Sequence, residues 1–143
     1  MAMPMREPEN NTKTASVLRQ SLVDFRGRCP GIIGSLVLSD TGRPIERELP
    51  AFFEPNLDQF TDQVMDMYLA LKMVIRQSVK IVPANEHDLV LRFDSIVVCC
   101  RVLDNGFLVL LAESGCNLTT VNALSNLLKM KVTAFLAERR GIA

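Results

Sequence analysis

The sequence predicts an α+β fold of the α/β sandwich type, in which a five-stranded antiparallel sheet is covered by helices on both faces. Apolar runs of strand length at 32–38 and 96–103 indicate strands that are buried on both sides. Turn residues at 39–42 and 104–106 join consecutive strands into hairpins. Three longer segments carry apolar residues at helical spacing, so the predicted order is α-β-β-α-β-β-β-α.

The first helix is predicted over 12–26, with Thr12 or Thr14 able to cap its start. Its apolar residues follow helical spacing: Val17, Leu18, Leu22 and Phe25. Residues 1–11 are rich in proline and polar side chains, so we expect them to form a short disordered lead. The rest of the chain, 12–143, has the length of a single domain.

A hairpin is predicted next, with strands over 32–38 and 44–49 joined by the turn 39–42. The alternation of side chains divides the second strand into two faces: Ile45, Arg47 and Leu49 on one, and Glu46 and Glu48 on the other. Charged side chains on one face suit a strand at the exposed edge of a sheet.

A long helix is predicted over 57–82. One stripe of residues three or four apart is expected to face the core: Leu57, Phe60, Val64, Met67, Leu71, Val74 and Ser78. A second apolar set lies about a third of a turn away: Met65, Tyr68, Leu69 and Met73. Because this combined arc is wider than packing on one sheet requires, we expect the helix to contact two surfaces.

Three strands and a last helix complete the predicted fold. The strands are expected over 88–93, 96–103 and 107–112, with Asp104-Asn105-Gly106 forming a type I′ turn. Asn117 can cap the last helix, which is expected to end at 139–141. The core stripe of this helix is predicted to be Leu118, Val121, Leu124, Leu128, Val132 and Phe135.

The charge balance and apolar content of the chain disfavour some classes of function. The 143 residues include 16 basic and 16 acidic side chains, so no net charge attracts nucleic acid or an anionic membrane. No apolar run reaches the roughly 18 uncharged residues that a membrane helix needs, and no signal-peptide core begins the chain. We therefore expect a cytoplasmic protein without membrane insertion. Apolar residues make up 48% of the chain, an excess that favours burial against a partner.

The triplet Asp40-Thr41-Gly42 is the one that aspartic proteases place at their active site, where two carboxylates share a proton. A protease would need a second copy of the triplet, a small residue after the glycine and a later apolar-apolar-glycine segment, whereas Arg43 and Pro44 follow here. A turn explains the triplet without catalysis, because the aspartate can bond backbone amides and glycine accepts a positive φ. A dimeric aspartic protease is the remote alternative, and we expect no catalytic residue.

The four cysteines favour packing over chemistry. Cys99 and Cys100 are adjacent in a predicted strand, so their side chains point to opposite faces, and the single histidine, His87, lies in a polar loop. This arrangement does not suit a metal site. We expect Cys29, Cys99, Cys100 and Cys116 to be small buried hydrophobes in a reducing compartment, and we expect no metal or other cofactor.

Three segments, at 30–45, 89–93 and 96–111, have the order and spacing of an opening hairpin with an aspartate-x-glycine-x-proline turn, an edge strand and a closing hairpin. Together they resemble the Roadblock family of dynein light chains, whose bacterial and archaeal relatives include gliding-motility regulators. The likeness extends from about residue 15 to residue 137. It implies a Roadblock/profilin-like domain without a catalytic centre of its own. It also implies a homodimer, or a pair with a sister subunit, that acts as a platform for Ras-like GTPases or for motor and scaffold subunits.

The implied dimer pairs the third strands of two subunits and lays their second helices side by side. The expected interface residues are Met65, Tyr68, Leu69, Lys72, Met73, Arg76, Leu89, Val90, Leu91, Arg92 and Phe93. The expected partner-binding residues are the polar positions of the second helix: Asp58, Asp62, Asp66, Lys72 and Arg76. A small-molecule sensor of similar topology is the alternative, and it would need a cavity on the order of several hundred Å³ between sheet and helix.

Overall fold

The computed structural model describes residues 9–78 and 88–141. Its helices are α1 (Glu9–Arg28), α2 (Leu57–Ser78) and α3 (Leu118–Gly141), and its strands are β1 (Ile32–Ser39), β2 (Pro44–Glu48), β3 (Asp88–Arg92), β4 (Ile96–Leu103) and β5 (Gly106–Glu113). A short 3₁₀ helix, Ala51–Asn56, precedes α2 and was not predicted. The predicted order of helices and strands is confirmed.

Several predicted features lie wholly or partly outside the described residues. Helix α1 begins at Glu9, inside the expected lead, and residues 1–8 lie outside the described residues. The expected caps, Thr12 and Thr14, have side chains outside the described residues, as do the predicted end of the second helix at 82 and the loop that holds His87.

The five strands form one antiparallel sheet in the order β2-β1-β5-β4-β3. One face of the sheet is covered by α1 and α3 and the other by α2. The buried side chains form two clusters, one shared by the sheet with α1 and α3 and one shared by the sheet with α2. Along β4, Val97 and Cys99 belong to the α1 and α3 side, whereas Val98 and Cys100 belong to the α2 side. The predicted three-layer α+β fold is therefore confirmed.

The predicted faces of β2 are partly wrong. Ile45 packs against the cluster under α1 and α3, whereas Leu49 packs against the cluster under α2. The register of β1 and β2 shifts between Val37 and Leu38, and such a bulge reverses the alternation of side chains that the sequence predicts. The edge position of β2 is as expected.

The hairpin between β4 and β5 is confirmed, but its type I′ turn is wrong. A type I′ turn needs positive φ at both central residues, and among the described residues only Gly31 and Gly42 have positive φ. Gly106 instead begins β5 and lies so close to β1 that a Cβ atom there would overlap the carbonyl oxygen of Leu38. Glycine is needed at this position for close approach of two strands rather than for turn geometry.

Candidate protein-binding surface

Strand β3 lies at the edge of the sheet and pairs with β4 on one side. Leu89 and Leu91 pack against the cluster under α2, while Val90 is 42% exposed on the opposite face. Arg92 is exposed, and Phe93, which follows the strand, is 56% exposed. The structure therefore brings the five expected interface residues of this region to one edge, with apolar side chains beside it.

The backbone N–H and C=O groups of successive β3 residues point alternately at β4 and at the outer edge of the sheet. The Phe93 N–H donates to the Ile96 carbonyl at 2.9 Å, which makes this pair a hydrogen-bonded pair of the antiparallel ladder. Since such pairs alternate with non-hydrogen-bonded ones, Leu91 and Leu89 also direct their backbone groups at β4. Asp88, Val90 and Arg92 then direct their N–H and C=O groups away from the sheet. An exposed edge of this kind can pair with another strand.

Arg101 holds β3 in place from inside the molecule, and sequence reasoning missed it. This β4 side chain is buried between the sheet and α3, and its Nε lies 3.2 Å from Oδ1 of Asp88 at the start of β3. Its Nη1 donates to Ser125 Oγ at 2.5 Å and to Asn126 Oδ1 at 3.1 Å on α3. A buried guanidinium needs such partners to be stable. A lone arginine within an apolar strand was the signal available in the sequence.

The Arg101 contacts also explain a wrong prediction for α3. Leu124 was expected in the core stripe but is 44% exposed, and Ser125 is fully buried in its place. The helix is turned so that the Ser125 hydroxyl faces the guanidinium. The predicted cap of this helix is confirmed, because Asn117 Oδ1 accepts hydrogen bonds from the N–H groups of Thr119 and Thr120.

The core stripe predicted for α2 is wrong in its second half. Met67 and Leu71 are exposed, whereas Thr61 is buried and Tyr68 is half-buried. The stripe that faces the sheet follows spacing of four, three and four residues: Leu57, Thr61, Val64 and Tyr68. Tyr68 belongs to it because its ring packs edge-on against Phe107 of β5, at a centroid distance of 5.2 Å. The side chains of Val74, Arg76 and Ser78 lie outside the described residues.

The wide apolar arc of α2 is present, although its members differ from the predicted set. Met65 and Tyr68 pack against the chain's own sheet, in the cluster under α2. Among the side chains of α2 that the structure describes, at 57–73, the large exposed apolar ones are Met67, Leu69, Leu71 and Met73. They lie on both sides of the buried stripe, so the helix has apolar surface that its own sheet does not cover.

A groove of about 680 Å³ lies between α2 and the turns at the ends of β1 and β4, and it opens to solvent. Four carboxylates line it: Asp40, Asp62, Asp66 and Asp104. Its apolar wall includes Leu69 and Phe107, and Lys72 lies in it with Nζ 5.6 Å from the Tyr68 ring centroid. Of the predicted partner-binding residues, Asp62, Asp66 and Lys72 thus meet at one site, and Asp58 lies exposed at the start of the same helix. Asp40 and Asp104 were not predicted to belong to it.

The Asp40-Thr41-Gly42 segment is a tight turn. Ser39 Oγ accepts hydrogen bonds from the N–H groups of Thr41 and Arg43 at 3.3 and 3.2 Å. Gly42 has φ of 86°, as predicted, and a Cβ atom there would lie 2.6 Å from Met65 Cγ. The turn therefore fixes the β1 end of the groove against α2.

Three of the four cysteines are buried, as predicted. Cys29, Cys99 and Cys100 are buried, and Cys116 is half-buried with its Sγ 3.5 Å from the Pro30 carbonyl oxygen. Burial raises the pKa of the Cys100 thiol to about 12, and it also raises the pKa values of Cys29 and Cys99. Thiols of this kind stay protonated and unreactive at neutral pH.

In the described ranges 9–78 and 88–141, no group of three or more histidine, cysteine, aspartate or glutamate side chains is arranged to hold a metal ion. None of the helices in that part of the chain has the length and apolarity of a membrane span.

Comparison with known proteins gives similarity in structure rather than in sequence. No protein-family model and no curated protein matches the sequence. A Roadblock/LC7 domain from Streptomyces avermitilis aligns with a TM-score of 0.68 at 12% identity, over 87% of this chain and 98% of that one. The gliding protein MglB from Thermus thermophilus aligns with a TM-score of 0.71 at 13% identity, over 87% and 92%. MglB from Myxococcus xanthus aligns with a TM-score of 0.70 at 11% identity, over 95% and 96%. The expected resemblance is confirmed at the level of the fold: this chain has the fold of Roadblock/LC7 domains and of MglB.

Proposed function

We propose that this protein is a non-enzymatic regulator or scaffold that dimerises through the edge strand β3 and helix α2 and binds a small Ras-like GTPase or a subunit of a larger assembly. The observation that carries the proposal is the outer edge of β3, with which no other strand in the described ranges 9–78 and 88–141 pairs and where Asp88, Val90 and Arg92 direct backbone groups outward. Each intermolecular backbone hydrogen bond contributes about 0.5–1.5 kcal/mol net. One structural neighbour is an MglB with a tetrameric arrangement, which supports assembly of this fold from several copies.

The side chains of β3 suit antiparallel pairing with a second copy. If a two-fold axis passes through Val90, Asp88 of each copy lies opposite Arg92 of the other copy. The dimer then contains two equivalent Asp88–Arg92 pairs. These opposite charges are adjacent on the same face of the combined sheet, since directly opposed residues of an antiparallel pair share a face. The Val90 side chains meet at the axis. Any shift of register by two residues loses both charge pairs.

Helix α2 supplies the apolar area that two short strands lack. Met67, Leu69, Leu71 and Met73 are exposed in the single chain, and they lie on the same side of the sheet as Leu89 and Leu91 of β3. In a strand-paired dimer the α2 helices of the two copies lie on the same face of the ten-stranded sheet. Burial of these side chains stabilises the dimer by about 25 cal/mol for each Å² of apolar surface removed from water.

The acidic groove is the proposed contact for the partner. Asp62 and Asp66 on α2, with Asp40 and Asp104 on the turns, favour a partner surface that carries lysine or arginine. A platform of this kind needs no catalytic group. It acts by binding one conformation of the GTPase more tightly than the other, which shifts the population towards the bound conformation.

The two alternatives from the sequence are less well supported. The space that a ligand sensor needs was expected between sheet and helix, but the 680 Å³ groove is an open one at the ends of the strands. Asp40 follows β1, which is three strands from β3 in the sheet. In the proposed dimer the two β1 strands are separated by the β5, β4 and β3 strands of both copies, so the two Asp40 carboxylates would be roughly 30 Å or more apart at the usual strand spacing. An aspartic-protease pair requires contact between the carboxylates.

The dimer is tested by light scattering on the purified chain. We expect twice the mass of one chain at micromolar concentration, and Val90→Pro should give a monomer that still folds, because it removes an outward N–H and leaves the β4 ladder intact. Val90→Thr is the matched control, since it retains the N–H and a branched side chain, and it should remain a dimer. A monomeric unsubstituted chain would reject the proposal.

The partner is tested by pull-down from an extract of the source organism, with the immobilised chain and either GDP or a non-hydrolysable GTP analogue present. We expect retention of a Ras-like GTPase in one nucleotide state. The double variant Asp62→Lys/Asp66→Lys should remain dimeric and retain at least tenfold less GTPase. Equal retention by this variant would show that the groove is not the contact.

A further inference from the structure

The side chains of Arg101 and Asp88 lie next to each other on neighbouring strands. Residues 101 and 88 are directly opposed in the pairing of β4 with β3, so their side chains share one face of the sheet, the face that α3 covers. Arg101 Nε donates to Oδ1 of Asp88 at 3.2 Å. The Arg101 side chain is 9% exposed, whereas that of Asp88 is 27% exposed. Because a carboxylate accepts several hydrogen bonds, Asp88 can bind a second cation from the solvent side.

In the proposed dimer this pair becomes part of a row across three strands. When the two-fold axis passes through Val90, Arg92 of the second copy lies directly opposite Asp88, on the side away from Arg101. The three side chains lie on one face of the sheet, on strands about 4.8 Å apart. Positive, negative and positive charges therefore alternate along the row, and the two-fold axis repeats the row in the other half of the dimer.

Arg101 is itself held from the side of the helix. Its Nη1 donates to Ser125 Oγ and to Asn126 Oδ1 on α3, so the guanidinium has contacts on two elements of the fold. A side chain that bonds this fixed group loses less conformational freedom when it meets a second partner than an unrestrained side chain does. Arg101 thus prepares the Asp88 carboxylate for contact with another chain.

The position of the Asp88 carboxylate matters because cations lie near it. Arg101 carries a positive charge, and Lys129, half-buried on α3, lies about one helical turn beyond Ser125. Arg92 of a second copy is attracted to this edge only if the carboxylate lies closer to it than these cations do. The hydrogen bond from Arg101 keeps the carboxylate between the buried guanidinium and the outer edge of β3.

We propose that Asp88 is shared between Arg101 of its own chain and Arg92 of the second copy, and that Arg101 is a positioning residue for this contact. The inference rests on the proposed dimer and identifies the charged groups by which one copy recognises the other. It also links α3 to the dimer, because the guanidinium that bonds Asp88 is the one that bonds Ser125.

The shared carboxylate is tested by the dissociation constant of the dimer, measured by sedimentation equilibrium on the full chain. Asp88→Asn and Arg92→Gln should each weaken the dimer by about three- to thirtyfold, because each removes two partly exposed ion pairs. The double variant should be within about twofold of the weaker single variant, since both changes remove the same contact. Arg19→Gln is the matched control for loss of one positive charge. It changes an exposed residue of α1, which packs on β1 and β2, and it should leave the dissociation constant unchanged.

The positioning role is tested by combining Arg101→Met with Arg92→Gln. Arg92→Gln should weaken the dimer at least threefold when Arg101 is present and less than about twofold in the Arg101→Met background. A residue that only stabilised the fold would leave the effect of Arg92→Gln the same in both backgrounds. Circular dichroism shows whether Arg101→Met is folded at the temperature used. If it is not, Arg101→Lys takes its place with the same expected result, because an ammonium lacks the planar fork that holds two partners at once.

Salt supplies an independent readout. Raising sodium chloride from about 0.05 to 0.5 M should weaken the unsubstituted dimer more than the Arg92→Gln dimer, because salt screens the ion pairs. The inference fails, and the proposed dimer stands, if the unsubstituted chain dimerises but Asp88→Asn and Arg92→Gln have no effect or have additive effects. It also fails if the effect of Arg92→Gln persists without Arg101, or if Arg101→Met strengthens the dimer. A monomeric unsubstituted chain would overturn both this inference and the proposed function.

Discussion

Arg101 Nη1 donates a hydrogen bond of 2.5 Å to Oγ of Ser125, so a polar contact joins the sheet to α3 inside an otherwise apolar layer. The same guanidinium reaches Asp88 at 3.2 Å. Removing the buried guanidinium takes a donor from the buried Ser125 hydroxyl and from the Asp88 carboxylate, and the loss of a buried hydrogen-bond partner is costly. The Arg101 contacts therefore fix the position of β3 relative to the rest of the domain.

Arg101→Met should lower the free energy of unfolding by about 2–4 kcal/mol, because Ser125 and Asp88 lose their buried donor. Urea unfolding followed by circular dichroism, at one protein concentration, measures the change. Arg47→Met is the matched control. It breaks a 2.8 Å ion pair with Glu54 in which the two side chains are 42% and 46% exposed, so it should cost less than about 1 kcal/mol. Equal losses in the two variants would contradict the structural role of Arg101.

Gly42→Ala should destabilise the domain by about 1–2 kcal/mol or more, because it combines the cost of a left-handed backbone with a contact on Met65. Gly27→Ala is the matched control: no atom lies within 4 Å of a Cβ atom there, and the residue is helical. Since alanine is a better helix former, it should stabilise the domain by up to about 1 kcal/mol. Thermal unfolding measures both changes, and a stabilising Gly42→Ala would show that the turn differs from the one described.

Alkaline pH should destabilise the protein through Cys100. Its thiol pKa rises from 9.0 to about 12 in the folded state, so between these values the folded chain binds the proton that the unfolded chain has released. Stability from this group is complete below pH 9 and is lost as the pH rises towards 12. At pH 10 the loss is on the order of 1 kcal/mol relative to pH 7. Urea unfolding should show a smaller decrease between these pH values for Cys100→Ala than for the unsubstituted chain. Equal decreases would contradict the burial of this thiol.

Met67→Asp/Leu71→Asp should weaken dimerisation at least tenfold, because the exposed apolar residues of α2 are those proposed to be covered in the dimer. The fold of the single chain should be retained, since these side chains lie outside its core. Sedimentation equilibrium measures the dissociation constant. Phe52→Asp is the matched control. It changes a 70% exposed apolar side chain of the 3₁₀ helix Ala51–Asn56, outside the proposed interface, and it should leave the dimer unaffected. If both variants dimerise normally, α2 is not part of the interface.

The order of elements and the three-layer arrangement could be predicted because hydrophobic periodicity and turn residues act locally. The apolar run at 96–103 indicated a strand buried on both faces, and Asn117 indicated a helix cap. Such signals depend on neighbours in sequence, which the chain itself supplies. The bulge in the β1–β2 hairpin was not predictable in this way, because it depends on pairing between strands.

The candidate site was predicted less well because it depends on rotation of helices about their axes. A shift of one residue in the core stripe of α2 exchanges Tyr68 for Met67, and periodicity alone does not separate these two arrangements. What separates them is the contact of Tyr68 with Phe107, which is 39 positions further along the chain. Ser125 replaces Leu124 in the core of α3 for the same kind of reason, since Arg101 selects it.

Amide hydrogen exchange at Val90, followed by NMR, tests the pairing of β3 most directly. The Leu89 and Leu91 amides point at β4 and should be protected in any folded form, so they serve as internal controls. The Val90 amide points away from the sheet. We predict that it is also protected at concentrations where the chain is dimeric and that its protection decreases on dilution. Rapid exchange at Val90 at every concentration, with Leu89 and Leu91 protected, would contradict the pairing of two copies along this strand.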